Sequence, residues 1–145
     1  MGHRNLSFEI QAPPERVYGL LIDPDRLPDW MLGLKSVATT GPLDRPGSEL
    51  TMTFKPPFTV TSKVIATEPG VRHQVRAREL LGLVTCTTTA TLEPDGAGTR
   101  LGIAFDYVIA GGPLGRRFDD KVGDEMTDNA TKEFARLKSI AEAPG

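Results

Sequence analysis

Residues 12–37, APPERVYGLLIDPDRLPDWMLGLKSV, combine a short amphipathic helix, a turn marked by prolines and the chain's only tryptophan. Pro13 and Pro14 suit the first turn of a helix, where a backbone N–H has no intrahelical partner. The helix is predicted to carry one apolar face, formed by Val17, Leu20 and Leu21. Because a residue before proline avoids the helical conformation, Asp23 is expected to end the helix in front of Pro24.

The rest of the chain reads as strands followed by one helix. Residues 25–31 predict a second short helix, and LSFEIQ at 6–11 alternates apolar and polar residues as a strand does. Six more segments alternate in the same way and are separated by Gly- and Pro-rich turns: 34–40, 48–54, 58–68, 72–79, 83–94 and 99–109. Connections of hairpin length predict an antiparallel meander.

Residues 111–143 predict one long C-terminal helix that begins at Pro113. About 30 residues at ~1.5 Å each would give a helix of roughly 45 Å, long enough to cross a whole sheet. The order of elements therefore predicts an α+β fold, in which a curved seven-stranded antiparallel sheet wraps around this helix. Two short helices follow the first strand and would close one end of the space between sheet and helix.

The chain resembles the helix-grip (SRPBCC) superfamily, which includes START-type lipid carriers, the major birch pollen allergen and bacterial polyketide cyclase/dehydrase-like proteins. The resemblance rests on the helix after the first strand, the DPxxxPxW turn at 23–30 and the last helix ending RLKSIAE at 136–142. It covers the whole chain and implies a single helix-grip domain over 1–145. It also implies an apolar, lipid- or polyketide-like small molecule held between sheet and helix.

The composition limits the classes of binding partner that we expect and the expected cellular location of the protein. Of the 145 residues, 39% are hydrophobic and 25% charged, which is typical of a globular protein. With a net charge of −2 and no basic run, we expect no nucleic acid partner. The longest apolar run is far shorter than the ~20 residues of a transmembrane segment. No secretory signal is visible and Cys86 stands alone, so we expect a cytoplasmic protein, as a monomer or homodimer.

No motif for a metal or cofactor is recognisable in the sequence. His3, expected in a flexible tail, His73 and Cys86 are too few for a four-ligand Cys/His zinc site. The glycine-rich fingerprints of nucleotide-binding loops are missing as well. We therefore expect neither a metal nor a cofactor.

The helical wheel assigns residues of the long helix to a cavity or to the core. Its first half is expected to line the cavity with Phe118, Val122 and Met126, whereas Phe134, Leu137 and Ile140 are expected in the structural core. Three polar residues interrupt the apolar arc. Asn129 is expected to reach the ligand, Asp119 to reach solvent, and Glu133 is open between the two.

Strand phase assigns further residues to the inner face of the sheet. Phe105 is expected to line the cavity, and the polar residues expected on this face are Ser62, His73, Cys86, Thr88 and Tyr107. Trp30 either lines the cavity or only anchors the short helices on the sheet. The expected ligand contacts are therefore Trp30, Phe105, Tyr107, Thr88, Phe118, Val122, Met126 and Asn129.

Three functions follow from this arrangement. The first is binding or carriage of an apolar small molecule. The second is a polyketide aromatase/cyclase that works without a cofactor, with Tyr107, His73 or Glu133 as proton shuttle. The third, a protein-interaction module, is disfavoured because the outer strand faces carry Thr, Lys and Arg.

Overall fold

The computed structural model describes residues 2–55, 58–79 and 82–144. The strands are β1 Gly2–Ile10, β2 Leu34–Thr39, β3 Glu49–Phe54, β4 Phe58–Glu68, β5 Arg72–Glu79, β6 Val84–Asp95 and β7 Gly98–Ile109. The helices are α1 Pro14–Ile22, α2 Leu27–Trp30, α3 Pro113–Arg116 and α4 Asp119–Glu142. None of these helices is both long enough and apolar enough to cross a membrane.

The strands form one antiparallel sheet of seven, in the order β1-β7-β6-β5-β4-β3-β2. β1 and β2 therefore lie at opposite edges, and α1 and α2 connect them across the open end of the sheet. Pairing shifts register between Leu34 and Ser36 and between Val64 and Ala66. Such bulges increase the local twist and help a sheet to curve. The predicted helix-grip fold is confirmed: a curved sheet, a long C-terminal helix and two short helices after the first strand.

Two details of the prediction are wrong. β1 begins at Gly2, because the whole segment pairs with β7. His3 therefore belongs to a strand rather than a flexible tail, and its Nδ1 lies 2.5 Å from a carboxylate oxygen of Asp106. The C-terminal helix is also divided. Gly115 packs closely against the backbone at the end of β7, and residues 117–118 form a turn between α3 and α4.

α4 packs across the concave face of the sheet and carries much of the core. Leu137 is fully buried, and the ring of Phe134 lies 5.4 Å from that of Phe8 and 5.3 Å from that of Trp30, measured between centroids. At the end of α4, the guanidinium of Arg16 donates a hydrogen bond of 2.6 Å to the carbonyl of Ala141. This bond satisfies a carbonyl that the helix itself leaves unpaired and joins α1 to α4.

Candidate functional site

A cavity of about 960 Å³ lies between the inner face of the sheet, the first half of α4 and the α1–α2 segment. Protein pockets for small molecules have volumes of roughly 300–1,000 Å³, so this one is large enough for a multi-ring or long-chain molecule. Most of its wall is aliphatic or aromatic, with contributions such as Leu21, Leu50, Met52, Val75, Ile103 and Phe134.

The helical wall of the cavity contains five of the residues discussed above. Val122 and Met126 lie on it, as the helical wheel predicts, and so do Asn129 and Glu133. Phe134, expected only in the core, is buried and lines the cavity as well. Glu133 accepts a hydrogen bond of 2.9 Å from the backbone N–H of Leu32. Its carboxylate thus fastens α4 to the segment after α2 and lies at the cavity wall at the same time.

The sheet wall of the cavity is mostly apolar but contains several polar side chains. The residues predicted from strand phase that line the cavity are Phe105, Thr88, Cys86, Ser62 and His73. Alternation along the strands places them there, in agreement with the predicted phase. Ser62 is 2% exposed, and its Oγ makes no hydrogen bond with any residue that the structure describes.

Trp30 combines the two roles that the sequence left open. Its indole N–H donates a hydrogen bond of 3.2 Å to the carbonyl of Leu20, and its ring packs against Phe134. These contacts anchor α2 on α1 and α4. Trp30 also lines the cavity.

Two residues expected in the cavity lie outside its wall. Phe118 is 50% exposed and lies at the break between α3 and α4, directly before the first residue of α4. Tyr107 does face inward but lies at the end of the sheet, where Gly123 of α4 covers it. Its hydroxyl donates a hydrogen bond of 2.7 Å to the carbonyl of Asp119. Asp119, expected in solvent, is partly buried at this contact.

His73 is a buried titratable group of the cavity wall. Its ring is 7% exposed, and Nδ1 lies 3.0 Å from Oγ1 of Thr67. Burial penalises the charged imidazolium and lowers the pKa of His73 from 6.5 to about 4. The ring is therefore neutral at pH 7. Sequence patterns do not reveal the partner Thr67, because the two residues meet only through the pairing of β4 with β5.

The described part of the cavity wall contains acidic side chains but no basic ones. Glu125 and Glu133 lie on it, and no Lys or Arg from residues 2–55, 58–79 or 82–144 lines it. In the same ranges, no group of three His, Cys, Asp or Glu side chains is arranged to hold a metal ion.

A family model described as polyketide cyclase / dehydrase and lipid transport matches residues 1–142. The chain belongs to this family. The family description covers both enzymes and lipid transport, so membership is consistent with hydrophobic ligand binding and with cyclase-type chemistry. A search of curated proteins gave no significant match.

Several solved structures share the fold of this chain. Protein CV1439 from Chromobacterium violaceum is 22% identical, with 99% of each chain covered and a TM-score of 0.76. Ara h 8.0201 is 14% identical, with 96% of each chain covered and a TM-score of 0.78. The di-domain ARO/CYC StfQ, from the steffimycin biosynthetic pathway, is 16% identical. Its match covers 97% of this chain and 50% of StfQ, with a TM-score of 0.78. At these identities the likeness concerns the fold.

Proposed function

We propose that this protein binds and carries, or sequesters, an apolar small molecule in the cavity between α4 and the sheet. The observation that carries the proposal is the cavity itself, with about 960 Å³ of space and a mainly apolar wall. Family membership agrees with it, because lipid transport is part of the family description.

Apolar contacts alone would give only modest affinity. A ligand that buries about 300 Å² of apolar surface gains roughly 7.5 kcal/mol at ~25 cal/mol/Å². Association costs at least ~4 kcal/mol of that gain. The polar groups on the wall, Thr88, Asn129 and His73, would then supply selectivity through hydrogen bonds.

The positions of the three candidate proton shuttles favour binding over catalysis. Tyr107 lies outside the cavity wall with its hydroxyl bonded to a backbone carbonyl. His73 has a pKa of about 4, far below the value near operating pH at which a general base is most effective. The carboxylate of Glu133 accepts a hydrogen bond from a backbone N–H.

The second candidate is a cofactor-free aromatase/cyclase. It is favoured by the family description, by the fold shared with the ARO/CYC protein StfQ, and by the position of Glu133 on the cavity wall. Glu133 would then shuttle a proton while the cavity folds a poly-carbonyl chain for ring closure.

Binding of the uncharged dye Nile red tests the carrier proposal. Met126→Trp should fill part of the cavity and weaken dye binding, because Met126 is on its wall. Lys132→Trp adds the same ring to an exposed position of α4 and serves as the matched control. Equal dye affinity in the two variants would contradict a ligand site in this cavity.

Turnover distinguishes the carrier from the cyclase. A carrier should release no product from a linear poly-carbonyl substrate and should lose only affinity when its wall is altered. Product formation that Glu133→Gln abolishes, with substrate binding intact, would establish the cyclase instead.

A further inference from the structure

Three side chains from different parts of the chain form a partly buried hydrogen-bond network at the cavity wall. Oγ1 of Thr67 lies 2.6 Å from the hydroxyl of Tyr18, 3.0 Å from Nδ1 of His73 and 3.3 Å from the carbonyl oxygen of Arg72. The ring of Tyr18 also meets the His73 ring edge to face, with centroids 6.0 Å apart. The imidazole is thus held on two sides.

The network determines which nitrogen of His73 carries the proton. A threonine hydroxyl donates one hydrogen bond and accepts two, whereas a backbone carbonyl can only accept. All three contacts are hydrogen bonds only if Thr67 donates to Arg72 and accepts from both Tyr18 and Nδ1–H of His73. The proton of the neutral ring is therefore on Nδ1, and Nε2 keeps its lone pair.

That lone pair is available to a molecule in the cavity. His73 lines the cavity, and Nε2 has no hydrogen-bond partner among the residues that the structure describes. Nε2 is not one of the polar atoms that the structure seals from solvent without a partner. It therefore borders open space on the cavity side, where a ligand hydroxyl can donate a hydrogen bond to it.

The charges around the cavity indicate that the ligand is not an anion. Glu125 and Glu133 lie on the wall, and the described lining residues include no Lys or Arg. An anionic group would leave water for a site that offers it no opposite charge, which is strongly unfavourable.

We propose that the ligand is an uncharged apolar molecule with a hydroxyl group, such as an alcohol, enol or phenol, which donates a hydrogen bond to Nε2 of His73. This inference rests on the binding function proposed above. His73 is the residue that determines specificity. Thr67 and Tyr18 are positioning residues, because they hold the ring and its tautomer. A site built to hydrogen-bond a hydroxyl discriminates strongly against analogues that lack one.

Three naphthalenes of similar size test the proposal by calorimetry at neutral pH. 2-Naphthol carries the hydroxyl, 2-methoxynaphthalene has the oxygen without its hydrogen, and 2-naphthoate is an anion. His73→Phe removes the acceptor but keeps an aromatic ring beside Tyr18. This substitution should weaken the binding of 2-naphthol by about 3–10-fold, which is the effect of one hydrogen bond. It should change the affinity for 2-methoxynaphthalene by less than about twofold. 2-Naphthoate should bind the native protein at least about tenfold more weakly than 2-naphthol.

Nitrogen NMR of His73 in the native protein gives a second readout, which does not depend on whether His73→Phe folds. The native protein should show the Nδ1–H tautomer, and the Nε2 resonance should move upfield with 2-naphthol but not with 2-methoxynaphthalene. Thr67→Val removes the acceptor for Nδ1–H, so it should populate the other tautomer and weaken 2-naphthol selectively.

Two sets of results would overturn the proposal in distinguishable ways. If His73→Phe weakens both neutral probes equally, or if 2-naphthoate binds as tightly as 2-naphthol, the assignment of His73 is wrong while the binding function stands. If the native protein binds neither neutral probe, the binding function is wrong and this inference falls with it.

Discussion

The hydroxyl of Tyr107, near the end of β7, donates a hydrogen bond of 2.7 Å to the backbone carbonyl of Asp119 in the first turn of α4. Tyr107 is 1% exposed, and the contact is partly buried. It joins the last strand to the long helix directly after the break that follows α3. The position of this tyrosine is thus explained by a structural role.

Tyr107→Phe should therefore lower the free energy of unfolding by about 0.5–1.5 kcal/mol, the net value of a buried hydrogen bond. Nile red affinity should stay unchanged, because Tyr107 does not line the cavity. Urea melts and dye titrations measure the two effects. A loss of dye affinity with unchanged stability would return Tyr107 to the ligand site.

Alanine substitutions at two helical glycines should change the stability of the protein in opposite directions. A Cβ on Gly123 would overlap the hydroxyl of Tyr107 and the guanidinium of Arg4, whereas a Cβ on Gly19 in α1 meets no atom within 4 Å. Gly123→Ala should destabilise the protein by about 1–3 kcal/mol through overpacking. Gly19→Ala should stabilise it by up to about 1 kcal/mol, because alanine favours the helix.

Thermal or urea unfolding of both glycine variants provides the comparison, and each serves as the control for the other. Stabilisation by both would mean that α4 packs less tightly on Tyr107 than the structure shows.

The sequence predicts faces well and positions along an element poorly. Strand alternation alone places Ser62, Cys86 and Thr88 on the inner wall, because neighbouring side chains point to opposite faces. The same rule correctly turns Tyr107 inward, but it carries no information about the end of the sheet that α4 covers. The helical wheel assumes one continuous helix, whereas Phe118 lies at the break between α3 and α4 and is half exposed.

The network around His73 lies beyond what periodicity can show. Tyr18 and Thr67 belong to α1 and β4, and they meet His73 only when the helix packs on the sheet. Local pattern therefore predicts which residues share a face, whereas hydrogen bonds between distant elements depend on the folded packing.

Ser62 makes no hydrogen bond within the described chain, and this has a measurable consequence for stability. Its Oγ is buried, and an unpaired buried hydroxyl costs free energy that alanine does not. Ser62→Ala should leave the ligand-free protein equally stable or stabilise it by up to about 1 kcal/mol. Urea melts of the ligand-free protein measure the change.

Ser48→Ala is the matched control for Ser62. Ser48 is 8% exposed, and its Oγ donates a hydrogen bond of 2.6 Å to the carbonyl of Pro42. Its loss should destabilise the protein by about 1 kcal/mol. Similar destabilisation by both substitutions would show that Ser62 has a stabilising partner.

Asp23 ends α1 and also orders the turn that follows. Its Oδ1 accepts a hydrogen bond of 3.0 Å from the backbone N–H of Asp25. Asp23→Ala removes the acceptor and should reduce stability by about 0.5–2 kcal/mol, as the loss of a cap does. Asp25→Ala keeps the backbone donor and should change stability little. Equal melting midpoints for Asp23→Ala and the native protein would exclude the capping role.

The buried imidazole of His73 should make stability depend on pH. Its pKa is about 4 in the folded protein and 6.5 without burial. Above pH 6.5 the ring is neutral in both states and contributes no pH dependence. Between pH 6.5 and 4 the unfolded chain binds a proton that the folded protein does not, so the free energy of unfolding falls as the pH falls. Below pH 4 both states are protonated and this loss is complete.

Denaturant melts of the native protein and His73→Phe from pH 8 to pH 4 isolate this effect, because all other titrating groups are common to both. The variant also loses the hydrogen bond to Thr67, which adds a constant to the stability difference between the two proteins above pH 6.5. The native protein should lose stability relative to the variant by up to roughly 3 kcal/mol, since one pKa unit corresponds to 1.36 kcal/mol. A difference that stays constant across this range would show that the ring of His73 takes up its proton as readily in the folded protein as in the unfolded chain.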